Sequence, residues 1–147
     1  MNSSDITKAV VKWCFPPRRY AVCPNVSWAL LPWEADILAV SGSGVVNEIE
    51  IKTSVSDLKR DLAKSKWRVP GWPWSHIDRF WLAGPSWMES QMRERALAVG
   101  GGVIVVSDSG FVSVAVAAAR HRDRRVDITA SAIHRLTSLR FWDKEFE

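Results

Sequence analysis

The sequence predicts an α/β protein, a central mixed β-sheet with helices packed on both faces. Three observations lead there. Between Trp33 and Thr53, in WEADILAVSGSGVVNEIEIKT, two runs of β-branched or small apolar residues (Ile37 to Val40, then Val45, Val46, Ile49 and Ile51) are split by Ser41-Gly42-Ser43-Gly44, the pattern of two strands joined by a tight turn. Further along, strand-like runs alternate with segments of helical periodicity, which places helices against a sheet. The 147 residues contain no repeat and no linker-like stretch, so one domain spanning 1–147 is expected, large enough to bury about 70% of the surface its unfolded chain exposes.

Each element follows from its own residues. Ser3 to Trp13 reads as a packing helix, with Ser4 and Asp5 as cap candidates and Ile6, Ala9, Val10 and Trp13 on one face. Pro16-Pro17 stops it, Arg18 and Arg19 lie in the connection, and Tyr20 to Cys23 with Val26 to Leu30 gives one or two strands interrupted at Pro24-Asn25. After the hairpin, Ser54 or Ser56 caps a helix with Asp57 in its first turn and Val55, Leu58, Leu62 and Ala63 along its inner stripe. Lys59 and Lys66, seven apart, then share a helical face, while Asp57 and Asp61 are expected to pair along the surface. The segment WRVPGWPWS, Trp67 to Ser75, is too rich in Pro, Gly and Trp for a regular element and reads as a structured loop.

Phe80 to Ala83 makes a buried strand ended by Gly84-Pro85. Ser86 then caps a helix with Met88, Met92, Leu97 and Val99 inward, which Gly100-Gly101-Gly102 stops. Val103 to Val106 and Phe111 to Val116 form a second hairpin around Ser107-Asp108-Ser109-Gly110. Arg120 to Arg125 is a basic loop, and Asp127 to Trp142, with Ile128, Ala132, Ile133, Leu136 and Leu139 at helical spacing, closes the chain. Trp142 and Phe146 either fold back onto the body or meet a partner protein or a second copy in a homodimer.

Composition bounds the function. Nearly half the residues are apolar and Trp occurs nine times, so the chain is globular rather than disordered. A net charge of +4 is mild but uneven, concentrated at Arg18-Arg19, at 59–68 and at 120–125, which suits a polyanion. No stretch approaches the ~20 apolar residues of a membrane span. Cys14 and Cys23, with no signal peptide before them, read as reduced thiols of a cytoplasmic protein, and neither they nor His76, His121 and His134 have metal-ligand spacing.

The chemistry concentrates in the first hairpin. Strand side chains alternate between faces, so Glu34 and Asp36 share one face of its first strand and Glu48, Glu50 and Lys52 one face of its second. Unpaired buried charge is costly and like charges raise one another's pKa, so something must neutralise four carboxylates. Magnesium, which binds through one or two carboxylates plus substrate phosphates, suits such a cluster beside one lysine. The same residues also suit a solvated face with Glu and Lys paired across strands. A Glu-x-Lys with an Asp roughly 10 to 20 residues upstream arises by chance in about a quarter of chains this long, so order and context decide.

That context is Asp36…Glu50-Ile51-Lys52, followed by Thr53-Ser54-Val55-Ser56-Asp57-Leu58-Lys59-Arg60-Asp61-Leu62-Ala63-Lys64-Ser65-Lys66-Trp67 and later by Asp78-Arg79-Phe80-Trp81-Leu82-Ala83-Gly84-Pro85. From about Glu34 to Ala117 it resembles the PD-(D/E)XK nuclease superfamily, and within it a branch of small bacterial and phage proteins linked to DNA repair. The resemblance implies a restriction-endonuclease-like core and a nuclease in which Asp36, Glu50 and the carbonyl of Ile51 hold Mg2+, with Mn2+ as substitute. Lys52 would then orient the attacking water or neutralise developing charge. Where many relatives carry a first-helix Glu, this chain offers only Asp5, which equally suits a helix N-terminus.

Around this centre, Glu34, Glu48, Ser54 and Asp57 are candidates to orient ligands or water, with cross-strand pairing and helix capping as their plainer roles. Lys59, Lys66, Arg68, Arg122 and Arg124 are candidates for DNA phosphates, and Trp72 and Trp74 for stacking on bases or closing the core's edge. The expected function is a metal-dependent phosphodiesterase acting on DNA, in repair or phage DNA processing. Its rival is a catalytically inactive DNA-binding or complex-assembly module of the same fold.

Overall fold

The computed structural model describes residues 1–14, 21–27, 31–61 and 64–131. Its centre is a six-stranded mixed sheet whose strands lie in chain order: β1 (Ala21–Ser27), β2 (Glu34–Val40), β3 (Val46–Ile51), β4 (Arg79–Pro85), β5 (Gly102–Val106) and β6 (Val112–Val116). β1, β2 and β3 pair antiparallel, β3, β4 and β5 pair parallel, and β6 returns antiparallel to β5. The parallel steps need crossovers. The first contains α2 (Val55–Asp61) and the tryptophan loop, and the second contains α3 (Glu89–Val99).

Helices cover both faces, as the sequence predicts. α1 (Ser3–Cys14) lays Ile6, Val10, Val11 and Cys14 against Ile37, Ala39, Ile49, Ile51, Ala83 and Ile104. The opposite face packs Leu38, Val40, Val46, Leu82 and Val103 under Leu58 of α2, Met88, and Met92 and Ala96 of α3. Strand alternation assigns the layers: at β3 and β4, Ile51 and its partner Ala83 face α1, while Glu50 and its partner Leu82 face α2 and α3.

Several local expectations shift. Asn2, not Ser4, caps α1: its Oδ1 accepts the Asp5 N–H at 2.9 Å, and Asp5 Oδ2 accepts the Asn2 N–H at 3.1 Å. β1 runs through Pro24 without losing register, which an edge strand tolerates because the missing N–H is not needed by a second neighbour. No side-chain hydrogen bond caps α3 or the 3-10 turn Ser86–Met88 before it, so Ser86 is not the cap. Spacing of four from Met88 through Met92 lands on Ala96, leaving Leu97 72% exposed rather than inward. Gly100 ends α3 in the left-handed conformation, the helix stop read from the glycine run.

The two hairpin turns share one chemistry. In each, the first Ser Oγ accepts a backbone N–H (from Val45 and from Phe111), contacts the Ser Oγ two residues on, and is followed by a glycine with φ of 83° or 87°. Cys14 and Cys23 are buried in different layers and form no disulfide among the described residues. No helix among the described residues is long and apolar enough to cross a membrane. Of the predicted closing helix residues 127–131 are described: Asp127 is exposed, Ile128 is buried at 4% exposure, and 129–131 are helical. Arg18, Arg19, Leu62, Ala63, His134, Trp142 and Phe146 lie outside the described residues.

Candidate functional site

Ladder pairing between β2 and β3 runs from Val40↔Val46 to Ile37↔Ile49 and stops there. Beyond that point Ala35 and Glu34 still pair with β1, and Glu50 and Ile51 still pair with β4. The two strands therefore fork, and the fork opens at Asp36 and Glu50. These two residues stand at the next register position, near enough for the charge of Glu50 to act on the Asp36 carboxyl. The Ile51 N–H, which would otherwise bond to β2 backbone, instead donates to Asp36 Oδ2 at 2.8 Å. Within a strand the N–H and C=O of one residue leave on the same side, so the Ile51 carbonyl also faces the fork. The Lys52 N–H points the other way, to the Ala83 carbonyl at 2.8 Å.

Behind the fork lies a network of ions. Lys64 Nζ donates to Glu50 Oε2 at 2.7 Å and stands 3.5 Å from Asp61 Oδ1. Lys52 Nζ sits 3.2 Å from Asp61 Oδ1 and 3.9 Å from Glu50 Oε2. Lys66 Nζ donates to Glu48 Oε2 at 2.6 Å and lies 3.7 Å from Glu50 Oε1. Glu48 Oε1 accepts the Trp33 Nε1–H at 3.0 Å. The Phe80, Trp67 and Trp33 rings surround the Lys66 ammonium at 4.8, 5.4 and 5.6 Å from their centres, a cation–π box. Glu48, Glu50, Lys52, Asp61 and Lys66 are all buried, whereas the Lys64 side chain is 39% exposed. Glu50 Oε1 has no hydrogen-bond partner.

The electrostatics follow this geometry. Burial, then the charge of Glu50, push the Asp36 carboxyl from its ordinary 3.8 up to about 6, against the Ile51 N–H and the Lys64 and Lys52 ammoniums. Burial likewise drives Glu48 up to about 8, with Lys66 opposing and Glu50 adding to the rise. For Glu50 burial is outweighed by the ammoniums of Lys66 and Lys64, which hold it down at about 2. Burial acts to lower Lys64, but Glu50 and Asp61 overcome it and hold its ammonium above its ordinary range.

The structure brings Asp36, Glu50, Ile51 and Lys52 together, and corrects much around them. Glu48 is fully buried and spent on Trp33 and Lys66, not solvent-facing; Glu34 is exposed at the start of β2. Ser54 Oγ accepts the Asp57 N–H at 3.1 Å and so caps α2, while Asp57 stands 3.7 Å from Arg60 along the helix surface. Asp61 turns inward instead of pairing along the surface. Lys66 lies in a 3-10 turn, Ser65–Trp67, rather than on α2, so it does not share a helical face with Lys59; it is 1% exposed and cannot reach a phosphate. Asp5 sits on α1, across the sheet from the fork, and is no ligand there.

The nucleic-acid candidates separate in the same way. Trp74 is 9% exposed with its ring stacked 3.5 Å from that of His121, so it closes the core. Arg124 is a clamp, donating to Asp78 Oδ2 at 3.0 Å and to the Gly44 carbonyl at 2.9 Å. Trp72 is half-buried, its ring edge-on to Trp33 at 5.2 Å. With exposed Arg122 and Arg125 it lines an open groove of about 620 Å³, and Ser75 accepts the backbone N–H groups of Arg125 and Val126 there. Arg68 is exposed, and exposed Lys59 lies in the cleft between α2 and α3 beside Gln91, Glu94 and Arg95.

Sequence reading missed Trp33, Asp61 and Lys64 as parts of the site, and mistook what Lys66 does. The available signal was electrostatic: four acids on one sheet face require cations, and Lys64 and Lys66 follow within one short loop.

The donor set fits a hard divalent cation in part. Asp36, the Ile51 carbonyl and Glu50 would supply hard oxygen ligands at one fork, with Glu50 Oε2 held by Lys64 and Oε1 3.7 Å from Lys66. Among the described residues no three of His, Cys, Asp and Glu are grouped to hold a metal alone, so water or substrate phosphate would have to complete the shell of any bound ion.

No family model and no curated protein matches the chain. A solved structure of a protein of unknown function from Silicibacter pomeroyi is similar in fold, with a TM-score of 0.65 and 18% sequence identity, covering 98% of this chain and 95% of that one.

Proposed function

We propose that this chain is a metal-dependent phosphodiesterase acting on DNA, of the PD-(D/E)XK kind that its motif resembles. One observation carries the reading: β2 and β3 part just before Asp36 and Glu50, and the Asp36 carboxylate there accepts the Ile51 N–H, so Asp36, Glu50 and the Ile51 carbonyl gather at one fork, with Lys52 next along the chain. A bound Mg2+ or Mn2+ would polarise a phosphoryl oxygen and lower the pKa of an attacking water. Asp36 is oriented for binding by the Ile51 N–H. Glu50 stays ionised at neutral pH because its lysine neighbours hold it so. Lys52, fixed against Asp61, keeps an ammonium 3.9 Å from Glu50, where negative charge would build up on the phosphoryl group. Trp72, Arg122 and Arg125 support a nucleic-acid substrate.

The test is a panel of labelled DNA and RNA structures incubated with Mg2+ or Mn2+. Glu50→Gln and Lys52→Met should each remove metal-dependent cleavage by about 100-fold or more while circular dichroism stays unchanged. Cleavage that persists in these folded variants refutes the assignment. A second reading, an inactive DNA-binding or assembly module, is favoured by the three ammoniums that already compensate Glu50. It predicts no heat of Mg2+ binding, together with salt-sensitive DNA binding that survives Glu50→Gln.

A further inference from the structure

Three ammoniums surround Glu50, and only one can leave. Lys66 is sealed in its aromatic box and bonded to Glu48 at 2.6 Å. Lys52 has a 3% exposed side chain and is the nearer of the two lysines to Asp61, at 3.2 Å. Lys64 is 39% exposed, holds Glu50 Oε2 at 2.7 Å and approaches Asp61 only at 3.5 Å. If Lys64 swings into solvent, Asp61 keeps Lys52, and no ammonium is left buried without a partner. Glu50 then presents Oε2 beside Asp36, while its Oε1 stays 3.7 Å from Lys66 Nζ.

Repulsion points the same way. A cation seated on Glu50 would lie at contact distance from the Lys64 ammonium, in a half-buried site where repulsion is weakly screened.

We propose that Lys64 is a tethered counter-ion that fills the divalent-cation site at rest and is exchanged for the metal, so that metal loading releases its ammonium to the mouth of the fork, toward the substrate's phosphate. This rests on the metal-binding reading above. A tethered competitor reduces the apparent affinity of the free ion by the fraction of time it holds the site, so removing Lys64 tightens metal binding, the reverse of what loss of a stabilising residue does.

The experiment titrates Mn2+ into the full chain, the wild type and the Lys64→Gln and Glu50→Gln variants, by calorimetry and by electron paramagnetic resonance of the free ion. Lys64→Gln should lower the Mn2+ Kd roughly tenfold, as expected for one charge removed at contact distance in a half-solvated site, and Glu50→Gln should abolish binding. In parallel, wild-type protein is labelled with an amine-reactive reagent with and without saturating Mg2+, and Lys64 modification is read by mass spectrometry; metal should increase it severalfold. This arm needs no variant to fold. Mn2+ binding that depends on Glu50 but is unchanged or weakened in Lys64→Gln, or Lys64 labelling that is unchanged or reduced by metal, overturns the exchange and leaves the phosphodiesterase reading standing. Absence of Mn2+ binding in all three proteins overturns both.

Discussion

Glu48 and Glu50 stand two residues apart on one face of β3, each with a lysine ammonium within hydrogen-bond range, at 2.6 and 2.7 Å, yet the two pairs have opposite characters. The Glu48–Lys66 pair is closed on every side, by Trp33 on the carboxylate and by three aromatic rings around the ammonium. The Glu50–Lys64 pair lies where β2 leaves the sheet, with a lysine that reaches water and a carboxylate oxygen that lacks a hydrogen bond. The same chemistry on the same strand is structural where it is sealed and adjustable where the sheet forks. What separates the two is access, and access is set by the end of β2–β3 pairing just past Ile37↔Ile49.

The sealed pair offers the largest effect with which to break this contrast. Lys66→Ala leaves Glu48 buried opposite an empty box and should cost about 3–5 kcal/mol in urea unfolding. The neutral form of Glu48 limits the loss, because burial already drives that carboxyl up to about 8. Lys66→Met combined with Glu48→Gln should recover much of the stability, since it leaves no buried ammonium or titrating carboxyl and keeps the volume. A Lys66→Ala loss below about 1 kcal/mol would mean that the box is wet and that the pair behaves like a surface one.

Gly84 gives the next effect, and it links the packing of α3 to the fork. A β-carbon there would lie 2.7 Å from the Lys52 carbonyl oxygen and 3.0 Å from Met92 Sδ. Gly84→Ala should therefore push the Lys52 peptide, lowering stability by about 2 kcal/mol and weakening any Mn2+ binding at the adjacent Glu50. Unchanged stability and unchanged Mn2+ affinity would show that β3 and β4 can separate here at little cost.

The period-two alternation made this strand legible from the sequence: it placed Glu48, Glu50 and Lys52 on one face, and the SGSG turn brought Asp36 back alongside them. Both faces of the sheet were recoverable because Ile49 and Ile51 alternate with the acids. The identity of the counter-ions was not recoverable. Helical periodicity carried α2 on to Lys66, whereas Ser65–Trp67 forms a 3-10 turn from which Lys66 reaches Glu48, and Lys64 just before it reaches Glu50. Where pairing stops is equally invisible to a local pattern, because it depends on β1 and β4 drawing β2 and β3 apart.

Asp36 sharpens the contrast through pH. Its carboxyl titrates at about 6 in the folded chain against 3.8 ordinarily, so between these values the folded state holds more proton than the unfolded one. Stability from this group is therefore full below about pH 4, falls as pH rises from 4 to 6, and stays reduced above 6. Asp36→Asn, which keeps an oxygen for the Ile51 N–H and removes repulsion with Glu50, should stabilise the protein by up to about 2 kcal/mol at pH 7.5. At pH 4 the gain should vanish. A variant equally stabilised at both pH values would place Asp36 away from Glu50.

The smallest expected effect is the most discriminating. Lys64→Gln should change stability by no more than about 1 kcal/mol, because its ammonium is half-solvated and pairs of that kind return little after the entropy of fixing a long side chain. Glu50 would still have Lys66 at 3.7 Å and Lys52 at 3.9 Å, and Asp61 would still have Lys52. Urea denaturation of the Lys64 and Lys66 variants under the same buffer makes the comparison direct. Equal losses would mean that both lysines are structural struts and that β3 carries one buried network with no adjustable end. A small loss at Lys64 beside a large one at Lys66 would locate the adjustable end at the fork, where the two carboxylates share the one ammonium that can leave.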